Sequence, residues 1–285
     1  MRPALALLRE GEAALAPSPD ARHDALALLR RALGLGEGLT ALLEGRAEEE
    51  QAQDYAALLR RRAAGEPLQY ILGEAYFMGL RFRVDERVLI PRQDTELLCE
   101  LALARKPQNA LELCAGSGAV SVALQRLSGC RMTATDISQD ALDVARENAL
   151  ANGARLRLLQ GDLFHALPER ERFDLILCNP PYLSREDMER LQREVRREPA
   201  LALYGGEDGL DFYRRLRQGF SQRLEEGGCL LLEVGQGQAQ EVCDLFAPYA
   251  TRVHADLNGI GRVVEVRAPG RPASRDERGP DKPEK

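Results

Sequence analysis

From about residue 108 onward, short apolar segments alternate with segments of helical periodicity. The apolar segments predict strands at 109–114, 131–136, 155–160, 173–178, 228–234, 250–256 and 262–267. The intervening segments predict helices at 118–128, 138–151, 184–196, 208–226 and 237–247. This alternation is typical of an α/β fold, a mostly parallel sheet with helices on both faces. A tight turn at 258–261 predicts an antiparallel last strand, and ligands are expected where the parallel strands end.

The chain before residue 108 has a different pattern. Up to about residue 65 only helices are predicted, whereas 76–77 and 80–84 predict a hairpin. Residues 88–90 predict a strand that leads into a helix capped by Asp94 or Thr95. The expected divisions are a helical N-terminal domain at 1–73, a hairpin and hinge linker at 74–95, the α/β domain at 96–268 and a disordered tail at 269–285.

Composition narrows the class of protein. The chain is 44% hydrophobic and 29% charged, as in globular proteins, and its net charge of -6 argues against gripping bare nucleic acid by bulk charge. No apolar run is long enough to span a membrane, and the chain starts without a signal-peptide pattern. The six cysteines form no CxxC pair, so free thiols in a reducing cytoplasm are expected.

Two of the predicted strand ends indicate a nucleoside. At 111–118 a strand turns through glycines into a helix, where free N–H groups can face a ligand. Asp136 ends the next strand and can accept hydrogen bonds from both ribose hydroxyls; capping of the next helix is the alternative role, which Ser138 can fill. Asp162 and Leu163, after the third strand, border the base or only form a turn. The predicted cofactor-binding residues are Cys114, Ala115, Gly116, Ser117, Gly118, Asp136, Asp162, Leu163 and Asn179.

The fourth strand ends in Asn-Pro-Pro-Tyr at 179–182, which can hold a planar NH2 group, either an amide or a base amine. Prolines have no N–H and force extended backbone before them, so this loop is fixed. Hydrogen bonds to the Asn179 side-chain oxygen and the Pro180 carbonyl would orient the nitrogen and stabilise positive charge on it during methyl transfer. Tyr182 would pack on the amide plane. The predicted catalytic residues are Asn179, Pro180 and Tyr182, and Pro181 completes the predicted substrate-binding set.

These motifs, with several flanking segments, resemble the HemK/PrmC-type protein-(glutamine-N5) methyltransferases from about residue 21 to residue 266. The Asn-Pro-Pro-Tyr loop alone is shared with adenine and guanine N-methyltransferases. The more specific segments are Gly-Glu-Pro-Leu-Gln-Tyr-Ile-Leu-Gly at 65–73, Val-Leu-Ile-Pro-Arg-Gln-Asp-Thr-Glu at 88–96, Glu-Pro-Ala-Leu-Ala-Leu at 198–203, Gly-Gly-Glu-Asp-Gly-Leu at 205–210, Glu-Val-Gly-Gln-Gly-Gln at 233–238 and Asp-Leu-Asn-Gly-Ile-Gly-Arg at 256–262.

The resemblance implies a Rossmann-like class I methyltransferase sheet, with S-adenosyl-L-methionine as donor and S-adenosyl-L-homocysteine as product. It implies transfer to the glutamine of the Gly-Gly-Gln motif of class I peptide chain release factors, by a monomer without direct contact to nucleic acid or membrane. Glutamine methylation of a ribosomal protein, N-methylation of an exocyclic amine in nucleic acid and a non-enzymatic adaptor remain alternatives.

Two positions depart from the family pattern. The loop at 112–116 is Glu-Leu-Cys-Ala-Gly, where the family usually has Asp-Leu-Gly-Thr-Gly, and Glu112 is expected to move the charge outward. Gln93 replaces a frequent proline, which predicts a slightly looser hinge.

Overall fold

The computed structural model describes residues 1–36 and 38–267. The helices are α1 (Ala4–Leu15), α2 (Ala21–Leu33), α3 (Leu39–Glu44), α4 (Glu49–Ala63), α5 (Leu68–Leu72), α6 (Asp94–Arg105), α7 (Ala119–Ser128), α8 (Gln139–Ala151), α9 (Arg185–Glu189), α10 (Asp211–Arg223) and α11 (Ala239–Leu245). The strands are β1 (Arg2–Pro3), β2 (Arg46–Ala47), β3 (Glu74–Phe77), β4 (Leu80–Arg83), β5 (Asn109–Leu113), β6 (Arg131–Asp136), β7 (Leu156–Gln160), β8 (Phe173–Cys178), β9 (Leu224–Glu233), β10 (Ala250–Ala255) and β11 (Gly261–Arg267).

The seven-stranded sheet has the order β10-β11-β9-β8-β5-β6-β7. Strands β5 to β9 are parallel, and β11 is antiparallel to both β9 and β10. The predicted α/β class, the parallel sheet and the antiparallel last strand are therefore confirmed. The chain runs outward from β5 to β7 and then returns to β8 on the other side of β5. Strand ends separate at such a reversal and leave a crevice above β5.

Both faces of the sheet are covered because its strands are apolar on both sides. One face packs on α6, α7, α8 and the hairpin of β3 and β4, around Phe77, Phe82 and Leu98. The other face packs on α10 and α11, around Tyr213, Phe220 and Phe246. The N-terminal helices have a separate core. Within it, the Tyr55 hydroxyl donates to the Ala25 carbonyl at 3.1 Å.

Several predicted elements differ from the structure. The predicted helix at 184–196 is wrong beyond α9, because none of its residues reaches a buried surface and a short polar helix is marginal without packing. The N-terminal segment is not purely helical, since β1 pairs with β2. Residues 88–90 form no strand, and β9 starts earlier than predicted, at Leu224. The predicted tail at 269–285 lies outside the described residues.

The predicted caps of α6 are also wrong, for a reason that concerns the site. The helix starts after Gln93 without a side-chain cap. Asp94 instead pairs with Arg262 at 2.9 Å, and the Thr95 hydroxyl accepts a hydrogen bond from Asn179. Both side chains that could cap the helix are thus engaged with strand ends. No helix of the described ranges has the length and apolar character that crossing a membrane requires.

Candidate active site at the strand ends

A cavity of about 330 Å³ lies above the carboxyl ends of β5, β6, β7 and β8. Of the residues predicted from sequence to bind the cofactor or substrate, the structure brings these to its wall: Cys114, Ala115, Gly116, Ser117, Asp136, Asp162, Leu163, Asn179 and Pro181. Gly118, Pro180 and Tyr182 do not line it: Gly118 lies against Ala145 of α8, Pro180 is buried, and Tyr182 packs on the core below α10. The roles predicted for all of these residues remain predictions.

The loop after β5 is held by the carboxylate that ends β6. Asp136 Oδ2 accepts from the Gly116 N–H at 2.8 Å, and Oδ1 accepts from the Ser138 N–H at 2.9 Å. Ser138, and not Asp136, caps α8, with its hydroxyl accepting from the Ala141 N–H. Burial raises the pKa of Asp136 against these hydrogen bonds. Each carboxylate oxygen keeps a further lone pair, so Asp136 can also accept two ligand hydroxyls.

Glu112 does not point outward, which corrects the expectation from sequence. It is 3% exposed, and its carboxylate accepts from the Ser121 hydroxyl and, at 2.9 Å, from the Ser121 N–H. Burial raises its pKa to about 8, and the bonds from Ser121 oppose that rise. Glu112 therefore anchors the first turn of α7 beneath the cavity.

The far side of the cavity is bordered by Asp162 and Leu163. Asp162 pairs with Arg215 of α10 at 2.5 Å, a partner that sequence did not suggest. Leu163 has a φ of 50°, a backbone conformation that residues other than glycine rarely adopt. The tight turn here places the buried Leu163 side chain at the cavity wall.

The Asn-Pro-Pro-Tyr loop is fixed from two directions. The Gln238 amide donates to the Tyr182 carbonyl at 2.9 Å while its oxygen accepts from the Gly235 N–H. On the other side, the Leu183 N–H donates to the Leu203 carbonyl at 2.9 Å, and the Leu183 carbonyl accepts from the Gly205 N–H at 2.8 Å. Burial raises the pKa of Tyr182 to about 12, so its phenol stays protonated at neutral pH.

Sequence reasoning missed four side chains around Asn179 and the cavity rim: Thr95, Arg92, Glu198 and Glu233. Asn179 Nδ2 donates to Thr95 Oγ1 at 3.3 Å, and Glu233 lies behind both. At the rim, Glu198 pairs with Arg92 and accepts from the Ile90 N–H at 3.0 Å. A signal for Glu233 was present in the sequence. Glu233 is a polar residue at the end of an apolar strand, as Asp136 is, and Asn179 directly follows another such strand.

Comparison with known proteins identifies the family of this chain. The family model described as "Methyltransferase domain" matches residues 110–198, and the one described as "PrmC N-terminal domain" matches residues 6–73. A protein of Geobacter sulfurreducens named release factor glutamine methyltransferase is 44% identical over 253 residues, which cover 86% of this chain and 89% of that protein. The chain belongs to the release factor glutamine methyltransferase family. The resemblance noted in the sequence is thereby confirmed.

A second relative with the same name, from Cereibacter sphaeroides, is 43% identical over 258 residues, or 88% of this chain and 92% of the relative. Among solved structures, a methyltransferase from Pyrococcus furiosus superposes with a TM-score of 0.53 over 66% of this chain and 89% of its own. At 18% identity that likeness concerns the fold alone. As a member of this family with a methyltransferase domain, the chain is an enzyme of the methyltransferase class.

Proposed function

We propose that this protein transfers a methyl group from S-adenosyl-L-methionine to the side-chain amide nitrogen of the glutamine in the Gly-Gly-Gln motif of class I release factors. The observation that supports it most is the cavity in which a nucleoside-type wall and Asn179 face the same space, in a chain of this family. The names of the relatives supply the substrate class.

The residues present fit the donor. Gly116 lines the cavity, and a Cβ built on it meets no atom within 4 Å, so a side chain there would extend into open space. Asp136 would hold the ribose hydroxyls, and Asp162 and Leu163 would border the adenine. Bound S-adenosyl-L-methionine supplies an electrophilic methyl group and leaves S-adenosyl-L-homocysteine.

The chain's own residues would prepare the acceptor. An amide nitrogen is a weak nucleophile because its lone pair is delocalised into the carbonyl. Asn179 Oδ1 and the Pro180 carbonyl would accept its two N–H groups, which fixes its direction and stabilises the positive charge it gains. Holding the reactants in line can supply about 7–11 kcal/mol of the barrier reduction. Pro181 and Tyr182 would keep the loop in shape, with the Tyr182 ring packed on the core behind it.

The N-terminal helices would dock the body of the release factor. They contact the segment that precedes Pro199 of the cavity wall: Arg62 of α4 bonds Glu194, and Arg193 donates to the Ala63 carbonyl. We infer that residues 1–73 form this docking domain and residues 96–268 the methyltransferase domain, joined by the hairpin and hinge at 74–95.

Mass spectrometry tests the proposal directly. Release factor incubated with the protein and S-adenosyl-L-methionine should gain one methyl group, located on the Gly-Gly-Gln peptide. Asn179→Ala and a release factor lacking that glutamine are the matched negative controls. Methylation of a ribosomal protein or of nucleic acid, without methylation of release factor, would contradict the proposal.

A further inference from the structure

A buried carboxylate at the end of β9 has no evident structural role. Glu233 is 2% exposed, and its Oε2 atom has no hydrogen-bond partner among the described residues. Burial raises its pKa to about 7. Burying a carboxylate costs several kcal/mol unless its oxygens are paired, and removing it would relieve that cost. A buried carboxylate that is costly to keep and has one unpaired oxygen is a candidate for function.

The groups around Glu233 come from every neighbouring element. They are Asp94 and Thr95 of α6, Asn179 after β8, Tyr182 of the loop, Tyr213 of α10 and Arg262 of β11. Among them the Thr95 hydroxyl and the Asn179 amide donate toward the carboxylate and favour its ionised form, as does the positive charge of Arg262. Asp94 opposes them, but it is paired with Arg262 at 2.9 Å.

The hydrogen bonds can run in only one direction. An ionised carboxylate accepts and never donates, so between Thr95 and the neighbouring Glu233 only the Thr95 hydroxyl can be the donor. The Thr95 oxygen is then an acceptor for Asn179 Nδ2, at 3.3 Å. Glu233 thus sets the direction of Thr95, and Thr95 sets the direction of Asn179.

This order determines which end of the Asn179 amide faces the cavity. The two ends of an amide have nearly the same shape, and only their partners distinguish them. With Nδ2 turned to Thr95 and Glu233, Oδ1 is the end left for a ligand. The reverse orientation would set two N–H groups against the N–H groups of a substrate amide.

We propose that Glu233 and Thr95 are positioning residues that hold the Asn179 amide with Oδ1 toward the acceptor nitrogen, and that the Glu233 charge also stabilises the positive charge on that nitrogen. The acceptor in this statement rests on the proposed function. Asn179 and Thr95 line the cavity, whereas Glu233 does not and acts through them.

Thr95 offers a matched pair of variants. Thr95→Val removes the hydroxyl at nearly constant volume, and Thr95→Ser keeps it. With a Gly-Gly-Gln peptide, Thr95→Val should lower kcat at least about tenfold, while KM and the Kd for S-adenosyl-L-homocysteine change less than about threefold. Thr95→Ser should keep most of the activity. Equal loss in both variants, or a loss confined to KM, would overturn the proposal.

Glu233→Gln tests the charge. Its kcat should fall at least about tenfold, and the rise of the wild-type kcat with pH around neutrality should disappear. Glu265→Gln is the control, since Glu265 is equally buried on the adjacent β11, pairs with Arg105, His254 and Arg267, and lies outside the cavity wall. It should lose stability but keep kcat. A wild-type pH profile in Glu233→Gln would contradict the role of the charge.

A third measurement does not depend on methyl transfer. In protein labelled with ¹⁵N-asparagine, the Asn179 side-chain NH2 signals are identified by their loss in Asn179→Ala. They should keep their positions and slow exchange in Thr95→Ser and change in Thr95→Val and Glu233→Gln. If the wild type methylates no release factor but the signals respond in this way, the proposed function fails and the positioning stands. Asn179 signals that stay unchanged in both Thr95→Val and Glu233→Gln would refute the positioning role.

Discussion

At the scale of single residues, the site contains buried carboxyl groups whose ionised form is disfavoured by burial. Glu112 and Glu233 end or nearly end their strands, and burial raises the pKa of each, to about 8 and about 7. Asp136 is raised by the same cause. Asp136 accepts from Gly116 in the cavity wall, Glu112 accepts from Ser121 behind that wall, and Glu233 lies behind Thr95 and Asn179. The cost of burying these groups is therefore matched by their effect on the orientation of the residues around the cavity.

We expect the ionisation of Glu233 to make the free energy of unfolding depend on pH. Its pKa of about 7 in the folded state lies above the ordinary 4.5, so the folded state keeps a proton that the unfolded state has lost. The contribution of Glu233 to stability is therefore lost as pH rises from about 4.5 to about 7. Relative to Glu233→Gln, wild type should lose about 3 kcal/mol of unfolding free energy between pH 4.5 and pH 8.

Urea denaturation of both proteins at several pH values measures this difference directly. Subtracting the unfolding free energy of Glu233→Gln from that of wild type cancels the contributions of the other titrating groups, Glu112 included. A difference that stays constant with pH would show that Glu233 titrates normally.

Cys114 reports on the cavity without any enzymatic assay. It lines the wall and is half-buried, whereas Cys99, Cys130, Cys178 and Cys229 are buried. An alkylating reagent should therefore label Cys114 and the other half-buried thiol, Cys243, which lies outside the wall. Saturating S-adenosyl-L-homocysteine should protect Cys114 and leave Cys243 unchanged, as mass spectrometry of the tryptic peptides would show. Equal protection of both thiols, or of neither, would contradict binding beside Cys114.

At the scale of elements, the shape of the Asn-Pro-Pro-Tyr loop depends on a second loop that packs against it. Gly209 has a φ of 77°, and a Cβ built on it would lie 2.3 Å from the Tyr182 carbonyl oxygen. Backbone therefore approaches backbone too closely there for any side chain. The segment at 203–209 acts as a support under the residues next to the amide-binding position.

Gly209→Ala should displace this support and lower kcat at least about tenfold, because small misplacements of a reacting group are costly. Gly227→Ala is the matched control, since Gly227 has the same φ of 77° with no atom within 4 Å of a built Cβ. Both variants should lose roughly 1–2 kcal/mol of stability from the left-handed backbone. Gly209→Ala should lose more than that because of its close contact with the Tyr182 carbonyl, and only Gly209→Ala should lose activity. Steady-state kinetics and thermal unfolding of both variants decide the matter, and equal activity would contradict the role of the support.

The sequence predicted those parts of the site that depend on one strand each. Asp136 and Asn179 follow apolar strands, and the glycines at 116 and 118 mark the turn after β5, so their place at one edge follows from a parallel sheet. Thr95 and Glu233 were not predicted as site residues because their role depends on how α6, β8 and β9 meet, and these elements are far apart in the sequence. The helix at 184–196 was mispredicted because periodicity does not tell whether a packing partner exists.

At the scale of the whole molecule, the N-terminal helices contact the methyltransferase domain through an apolar cluster around Tyr70 and through several charged side chains. Arg62 of α4 bonds the buried Asp24 at 2.6 Å and Glu194 at 3.0 Å, so one guanidinium joins the helices to the segment after α9. Arg193 lies on Gly65 and donates to the Ala63 carbonyl at 3.1 Å. On the cavity side, Glu198 binds the chain at Ile90 and Arg92. The segment at 193–198 therefore connects the proposed docking helices to the cavity rim.

Loosening this connection should affect a large substrate and spare a small one. The double variant Arg193→Ala with Glu194→Ala removes the contacts to Ala63 and Arg62 but leaves the Arg62–Asp24 pair and the cavity intact. We expect KM for intact release factor to rise about fivefold or more, because helices that no longer hold a fixed position present the bound factor less often to the cavity. For a short Gly-Gly-Gln peptide, which the helices do not dock, kcat/KM should stay within about twofold of wild type. Arg190→Ala is the control in the same segment, since Arg190 pairs locally with Glu186 and both are exposed. If peptide and intact factor lose activity equally in the double variant, the segment shapes the cavity itself, and the helices do not act as a separate docking unit.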